Sequence, residues 1–180
     1  MEYVRIPRRR VAVLIGRGGK VKKEIEDRLK VKIGIDAKEG VATIENQGED
    51  VLAEWKGRDI VRAIGRGLNP RKAMRLCSDE YVLEIIDHQD IVGRSEKALK
   101  RQKARIIGRE GRTRKYIEEM THAWVAVSGK SVTIVGTHDE VAAAREAVIM
   151  LAEGIPHGVV YKVLQNKARK LKEKRLSLWK

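Results

Sequence analysis

The sequence predicts an α+β chain of two tandem β-α-α-β-β-α units followed by a basic C-terminal helix. Three observations predict it: the chain repeats itself, each copy switches between strand-like and helix-like apolar spacing, and each copy carries a glycine-flanked turn between two helical stretches. Laid on itself with Ile15 over Ile107, Ile15-Gly-Arg-Gly-Gly-Lys20 falls on Ile107-Gly-Arg-Glu-Gly-Arg112. The match runs on through Lys22/Arg114, Lys23/Lys115, Ile25/Ile117 and Glu26/Glu118, then Val31, Ile33, Ile35 over Ala123, Val125, Val127. After a single-residue gap, Val41–Ile44 matches Val132–Val135.

In copy one, alternation over Tyr3–Ile6 predicts a strand and Arg8–Ile15 a helix. Beyond the turn, Val21, Ile25 and Leu29 share one helix face over Lys20–Leu29. Strands follow at Val31–Ile35 and Val41–Ile44, joined at Gly40, and a helix over Glu49–Arg66 closes the unit with Gly67 as C-cap. Pro70–Leu76 reads as a helical connector. Copy two repeats the order: strand Tyr81–Ile86, helices Glu96–Ile107 and Thr113–Met120, strands Trp124–Val127 and Val132–Val135, helix Asp139–Glu153, stopped by Gly154 and Pro156. Strands this short are not stable alone, so each copy should form a three-stranded sheet covered on one face by three helices. The predicted divisions are 1–76, 77–156 and a tail at 157–180.

Lys and Arg total 39 against 25 Asp and Glu, a net charge of +14. Such a balance suits a polyanionic partner, because cations gain free energy by releasing counterions from phosphates; a solvated basic surface fits equally well. The single cysteine, Cys77, has no internal disulfide partner and is read as a buried small side chain in a reducing cytosol. No apolar run approaches the roughly 20 residues needed to span a bilayer, and no secretory signal is visible.

The turns Gly16-Arg17-Gly18-Gly19 and Gly108-Arg109-Glu110-Gly111 each end one helix and begin the next. Glycine admits positive φ and close backbone approach, and the following helix offers its positive dipole end and N–H groups, a suitable place for a phosphate. Lys20 or Arg112 stands beside it. A P-loop would need glycine at Leu14 and Ser or Thr at Val21, and a dinucleotide fingerprint would need glycine at Val21. The glycines could also serve only a tight helix connection; two copies with flanking cations favour a functional role.

Ile15-Gly-Arg-Gly-Gly-Lys-Val-Lys-Lys-Glu-Ile25 and Ile106-Ile-Gly-Arg-Glu-Gly-Arg-Thr-Arg-Lys-Tyr-Ile117 resemble the KH-domain signature, and type I KH domains have the β-α-α-β-β-α order read above. The resemblance covers nearly the whole chain and implies two tandem type I KH domains. More narrowly, Leu99–Glu119 and Val125–Gly136 resemble the second KH domain of the partner-of-Nob family of small-subunit ribosome assembly factors. That resemblance implies binding of single-stranded RNA from the 3′ region of small-subunit rRNA, contact with a Nob-type endonuclease and with the alpha subunit of translation initiation factor two, and no enzymatic activity or cofactor. The intact first turn, GRGG, fits an archaeal member. Glu110 departs from the usual residue and would repel phosphate unless it points away or pairs with Arg112 or Arg114. An mRNA- or exosome-associated KH protein and a KH interaction scaffold are the alternatives.

The candidate RNA-binding residues are Gly16, Arg17, Gly18, Gly19, Lys20 and Lys23 in copy one. In copy two they are Lys100, Arg101, Lys103, Arg105, Ile107, Gly108, Arg109, Glu110, Gly111, Arg112, Arg114, Lys115 and Val125, with Ile107, Ile117 and Val125 expected to line an apolar groove for bases. Residues 94–115 hold ten Lys and Arg against two Glu, and Lys97, Lys100 and Arg101 share a helix face leading to the turn, so copy two is expected to bind more strongly. His88, His122, His138 and His157 lack metal-ligand spacing with Cys77, Asp87 and Asp90 flank a loop, and Glu118-Glu119 read as solvated acids. Trp55, Trp124 and Trp179 are read as packing before stacking. In the tail, Val160, Leu164, Ala168, Leu171 and Leu178 form a stripe that should dock on the second unit. Among its cations are Lys162, Lys167, Arg169, Lys170, Lys172, Lys174, Arg175 and Lys180; holding RNA and keeping the helix soluble fit that charge equally.

Overall fold

The computed structural model describes residues 1–179; Lys180, counted among the tail cations, lies outside the described residues. The chain divides into two compact units, Met1–Leu83 and a second beginning at Glu84, so the division falls inside a strand and after the connector.

The first unit holds β1 (Glu2–Arg5), α1 (Arg8–Ile15), a 3-10 turn at Arg17–Gly19, α2 (Lys20–Leu29), β2 (Val31–Asp36), β3 (Val41–Asn46) and α3 (Ala53–Gly65). Its antiparallel sheet has the order β1-β3-β2, with Val4 opposite Ala42 and Ile33 opposite Ile44. Val4, Val31, Ile33, Ala42 and Ile44 are buried, while Tyr3, Arg5, Lys32 and Glu45 alternate with them on the exposed side. A one-residue slip would reverse every one of these, which fixes the register. Leu14, Ile25, Ile60 and Ile64 bring the three helices onto the buried face. The closing helix starts later than the expected Glu49. Asp50 accepts the Leu52 amide on its carboxylate and the Asn46 side chain on its carbonyl, and these bonds hold a turn where helix was read. The connector is α4 (Pro70–Ala73), capped by Asn69 with Pro70 in its first turn, then a 3-10 turn at Met74–Cys77. Cys77 is half-buried, and burial pushes its thiol pKa up.

Strand β4 (Tyr81–Asp87) crosses the boundary, and the second unit continues with α5 (His88–Val92), α6 (Glu96–Ile107), a 3-10 turn at Arg109–Gly111, α7 (Arg112–Thr121), β5 (Trp124–Ser128), β6 (Ser131–Thr137), α8 (His138–Ala152) and α9 (His157–Ser177). Its sheet order, β4-β6-β5, reproduces that of the first. Helix α5 replaces the loop expected between Asp87 and Asp90: the Asp87 carboxylate accepts the Gln89 amide and starts it. Ser95 caps α6, and Thr137 with Glu140 forms a capping box on α8. Helix α9 packs on α7 and α8 through buried Val160 and Leu164 and half-buried Ala168 and Leu171. Leu178, expected to continue that stripe, is exposed, so the docked face ends near Leu171.

Candidate nucleic-acid interface

The two turns have one backbone shape. Gly16, Gly18 and Gly19 lie at φ 74°, 60° and 75°, and Gly108, Glu110 and Gly111 at 73°, 54° and 74°. The first glycine is demanded by space as well as by φ. A Cβ on Gly16 would meet Val21 Cγ2 at 2.5 Å, and one on Gly108 would meet Thr113 Oγ1 at 2.2 Å. Gly19 donates its N–H to Gly16 O at 3.1 Å and Gly111 to Gly108 O at 3.2 Å, while Lys20 and Arg112 donate to Arg17 and Arg109 carbonyls. Those amides, expected to be open, are used by the turn itself. The helix dipole and the cations at the turn remain to attract a phosphate.

Around the first turn, Arg17, Gly18, Lys20 and Lys23 are exposed and Gly16 and Gly19 half-buried. Around the second, Arg109, Glu110, Arg112 and Lys115 are exposed, Gly108, Gly111 and Ile107 half-buried. Lys97, Lys100 and Arg101 lie exposed along α6, opposite buried Leu99, Gln102 and Ile106, and form a cationic face running toward Gly108. Glu110 pairs with Arg112 at 3.6 Å, both side chains largely in solvent, so its charge is partly answered within the turn. Lys103 is half-buried, and His88 has its pKa lowered first by burial and second by the charge of Lys103.

Four sequence assignments change. Arg105 does not face the turn: its guanidinium donates to Leu151 O at 2.9 Å and Ile155 O at 2.5 Å and closes the end of α8. Arg10 does the same in the first unit, donating to Ile64 O at 2.8 Å and Leu68 O at 2.9 Å; burial, then Arg9, lowers its pKa. Ile64 and Leu151 lie in the last turn of their helices, where carbonyls run out of α-helical partners, and Leu68 and Ile155 lie three residues beyond the helix ends; a cation there also answers the dipole. Val125 and Ile117 are buried in the core, at 2% and 0% exposure, so neither lines an open groove; Ile107 alone of the expected three is accessible. Glu118 is not a free acid. It accepts the Val125 amide at 2.9 Å and holds Arg114 at 2.9 Å, as Glu26 accepts the Ile33 amide at 2.8 Å in the first unit. In both sheets a carboxylate one turn from the helix end thus satisfies an edge-strand N–H that pairing leaves open.

Residues that the sequence pattern does not single out stand behind the second turn. Thr113, 3% exposed, shares a 3.2 Å hydrogen bond with the Tyr161 hydroxyl. The Tyr161 ring lies 4.4 Å from that of Tyr116, and Gln165 donates to the Tyr116 hydroxyl at 3.1 Å. His157 Nε2 meets Arg105 O at 3.0 Å. A polar residue two positions after the last glycine, where copy one has Val21, is the signal the sequence carries for them. In the tail, Lys167 pairs with Glu146 and Lys174 with Asp139, both at 2.5 Å, and Arg175 pairs with Glu140, so part of the tail charge fastens α9 to α8. Among the described residues no group of three His, Cys, Asp or Glu side chains is placed to hold a metal, and no helix is long and apolar enough to cross a membrane.

Residues 1–53 match the KH-domain family model, and residues 82–169 match the eukaryotic type KH-domain (KH-domain type I). A KH domain-containing protein of Methanocaldococcus jannaschii is 51% identical over 182 residues, covering 100% of this chain and 79% of that protein. The pre-rRNA-processing protein PNO1 of Debaryomyces hansenii is 30% identical over 176 residues, covering 95% of this chain and 68% of its own. Among solved structures, Dim2p from Pyrococcus horikoshii is 51% identical with a TM-score of 0.86, over 92% of this chain and 98% of that one. The same protein in a complex with a/eIF2alpha and rRNA is 50% identical with a TM-score of 0.88, over 94% of each chain.

Proposed function

This chain belongs to the PNO1/Dim2 family of two-KH-domain proteins, and from that premise we propose that it is an RNA-binding adaptor that holds single-stranded small-subunit rRNA, at its 3′ region, during ribosome maturation. The observation that carries this reading is the pair of turns with one left-handed backbone trace, each entering a helix and each edged by exposed cations. The proposed RNA ligands are Gly16–Lys20 and Lys23 in the first unit, and Lys100, Arg101, Ile107–Arg112 and Lys115 in the second. The glycine backbone admits the ribose-phosphate chain, the cations neutralise it, and unstacked bases lie beside Ile107. The role is binding without catalysis, in the cytosol, beside a Nob-type endonuclease.

The test is a salt titration of the unmodified protein with three labelled RNAs: a single strand of the rRNA 3′ region, its duplex and a scrambled strand. The single strand should bind tightest and the duplex weakest, with the salt slope rising by about 0.7 per phosphate contact. Equal affinity for all three would reduce the chain to a non-specific basic surface.

One observation favours a protein partner as well. Val51, Leu52 and Trp55 form an exposed apolar group on the first unit, suited to a protein surface. The initiation-factor alpha subunit is the candidate, since the Pyrococcus horikoshii relative forms a complex with a/eIF2alpha and rRNA. Pull-down with that subunit should survive RNase treatment; loss on RNase treatment would mean that RNA alone bridges the two.

A further inference from the structure

We propose that Tyr161 is a positioning residue for the second RNA clamp, and that α9 acts as a brace holding both arms of the Gly108–Gly111 turn in their phosphate-accepting shape. The inference rests on the RNA-clamp reading of that turn and assigns the first two turns of the tail helix a part in it. His157 and Tyr161 are four residues apart and share one face of α9. His157 holds the arm before the turn, through Arg105 O at 3.0 Å, three residues ahead of Gly108. Tyr161 holds the arm after it, through the Thr113 hydroxyl at 3.2 Å, two residues beyond Gly111.

Thr113 is the member that transmits position to the turn. Its Oγ1 stands 2.2 Å from the place a Cβ on Gly108 would take, so the start of α7 packs closely on the first glycine. A hydroxyl buried there needs a hydrogen-bond partner, and the Tyr161 hydroxyl supplies one. Without it, Thr113 satisfies its hydroxyl by letting the start of α7 move toward water, which widens the turn. The Tyr161 ring is itself fixed, 4.4 Å from Tyr116 and 6.1 Å, edge-on, from His157. At the matching place in the first unit, Val21 Cγ2 fills the same space without any group to be held. The first turn is therefore packed, and the second is packed and tethered.

The experiment measures single-stranded RNA affinity for the unmodified protein, Tyr161→Phe, Thr113→Val, the double variant Tyr161→Phe/Thr113→Val, and Arg109→Asp/Glu110→Asp, with urea melts and ¹H–¹⁵N spectra for each. Tyr161→Phe keeps both ring contacts and loses only the hydroxyl. It should weaken RNA binding about threefold, with a melt unchanged and the Gly108 and Gly111 amide signals shifted. Thr113→Val removes the hydroxyl that would otherwise be orphaned and imitates copy one. The double variant should therefore bind no worse than Tyr161→Phe alone, a non-additive result that a purely structural role would not give. Unchanged affinity and unchanged glycine signals in Tyr161→Phe, while Arg109→Asp/Glu110→Asp still weakens binding about tenfold or more, would overturn the brace and leave the clamp standing. Unchanged affinity in Arg109→Asp/Glu110→Asp would overturn the clamp reading and the brace with it.

Discussion

The two glycine turns share a backbone and differ in almost everything around it. In the first, α1 is eight residues long and brings two exposed cations, Arg8 and Arg9, because Arg10 is turned back onto Ile64 and Leu68 carbonyls. In the second, α6 is 12 residues long; exposed Lys100 and Arg101 stand where Arg8 and Arg9 do, and the additional turn adds exposed Lys97 on the same face. Gly18 at the tip of the first turn becomes Glu110 in the second, in the same left-handed conformation but with a carboxylate paired to Arg112. Behind the turns, Val21 is replaced by Thr113 and its bond to α9. The comparison separates shape from strength: glycine and packing set the shape twice, while charge and bracing distinguish how firmly each copy would hold a phosphate chain.

Substitutions inside the turns should break the shared shape most visibly. Gly108→Ala meets Thr113 Oγ1 and forces positive φ on a side chain, and should cost the second unit about 3 kcal/mol in a urea melt. Gly16→Ala should cost the first unit a similar amount against Val21. Gly111→Ala meets open space and carries only the left-handed penalty, about 1 kcal/mol. Equal losses at Gly108 and Gly111 would show that close approach is not what the first glycine provides.

Arg105→Ala should destabilise the second unit by about 2 kcal/mol, since two charge-assisted bonds to helix-end carbonyls are lost. RNA affinity measured on the folded variant should stay within twofold. A large affinity loss at full stability would return Arg105 to the binding face and sharpen the contrast with Arg10. A smaller effect is expected of Glu110→Gly, which makes the second turn's tip identical to the first: RNA binding tightens two- to threefold, about 0.5 kcal/mol, on losing a solvent-screened negative charge. Weaker binding would mean that the carboxylate contacts RNA favourably.

The smallest effect concerns pH and falls on the second unit alone. His88 is fully buried, neither ring nitrogen has a hydrogen-bond partner among the described residues, and burial depresses its pKa below the usual 6.5. Stability should hold its full value above pH ~6.5 and be lost as pH falls from there through the lower folded value, because the unfolded chain takes up the proton first. Melts across that range should show the decline, and His88→Leu should remove it; a decline that persists in the variant would place it elsewhere.

Most of this architecture was legible because repetition doubles every signal. The helix over Arg8–Ile15, the turn and the helix over Lys20–Leu29 recur in order, and periodicity places their faces. Short α5 escaped because five residues give no helical period, and its start depends on one Asp87 hydrogen bond. Among the candidate site residues, glycine turns were readable, since φ and crowding are local demands. The cations were less so. Arg105 lies in the same basic run as Lys100 and Arg101, and only the packing of α8 decides that it turns inward. Val125 looked like a groove wall from its alternation, but alternation names a face without saying which face is covered.

The most direct test of the central claim compares the two turns under one titration. Arg109→Asp/Glu110→Asp and Arg17→Asp/Gly18→Asp are each titrated with the same single-stranded rRNA 3′ segment, after circular dichroism and urea melts establish equal folding. The second-turn variant should lose affinity about tenfold or more, roughly 1.4 kcal/mol, and the first-turn variant measurably less. Unchanged affinity in the second-turn variant, or a larger loss from the first turn at equal stability, would contradict the account.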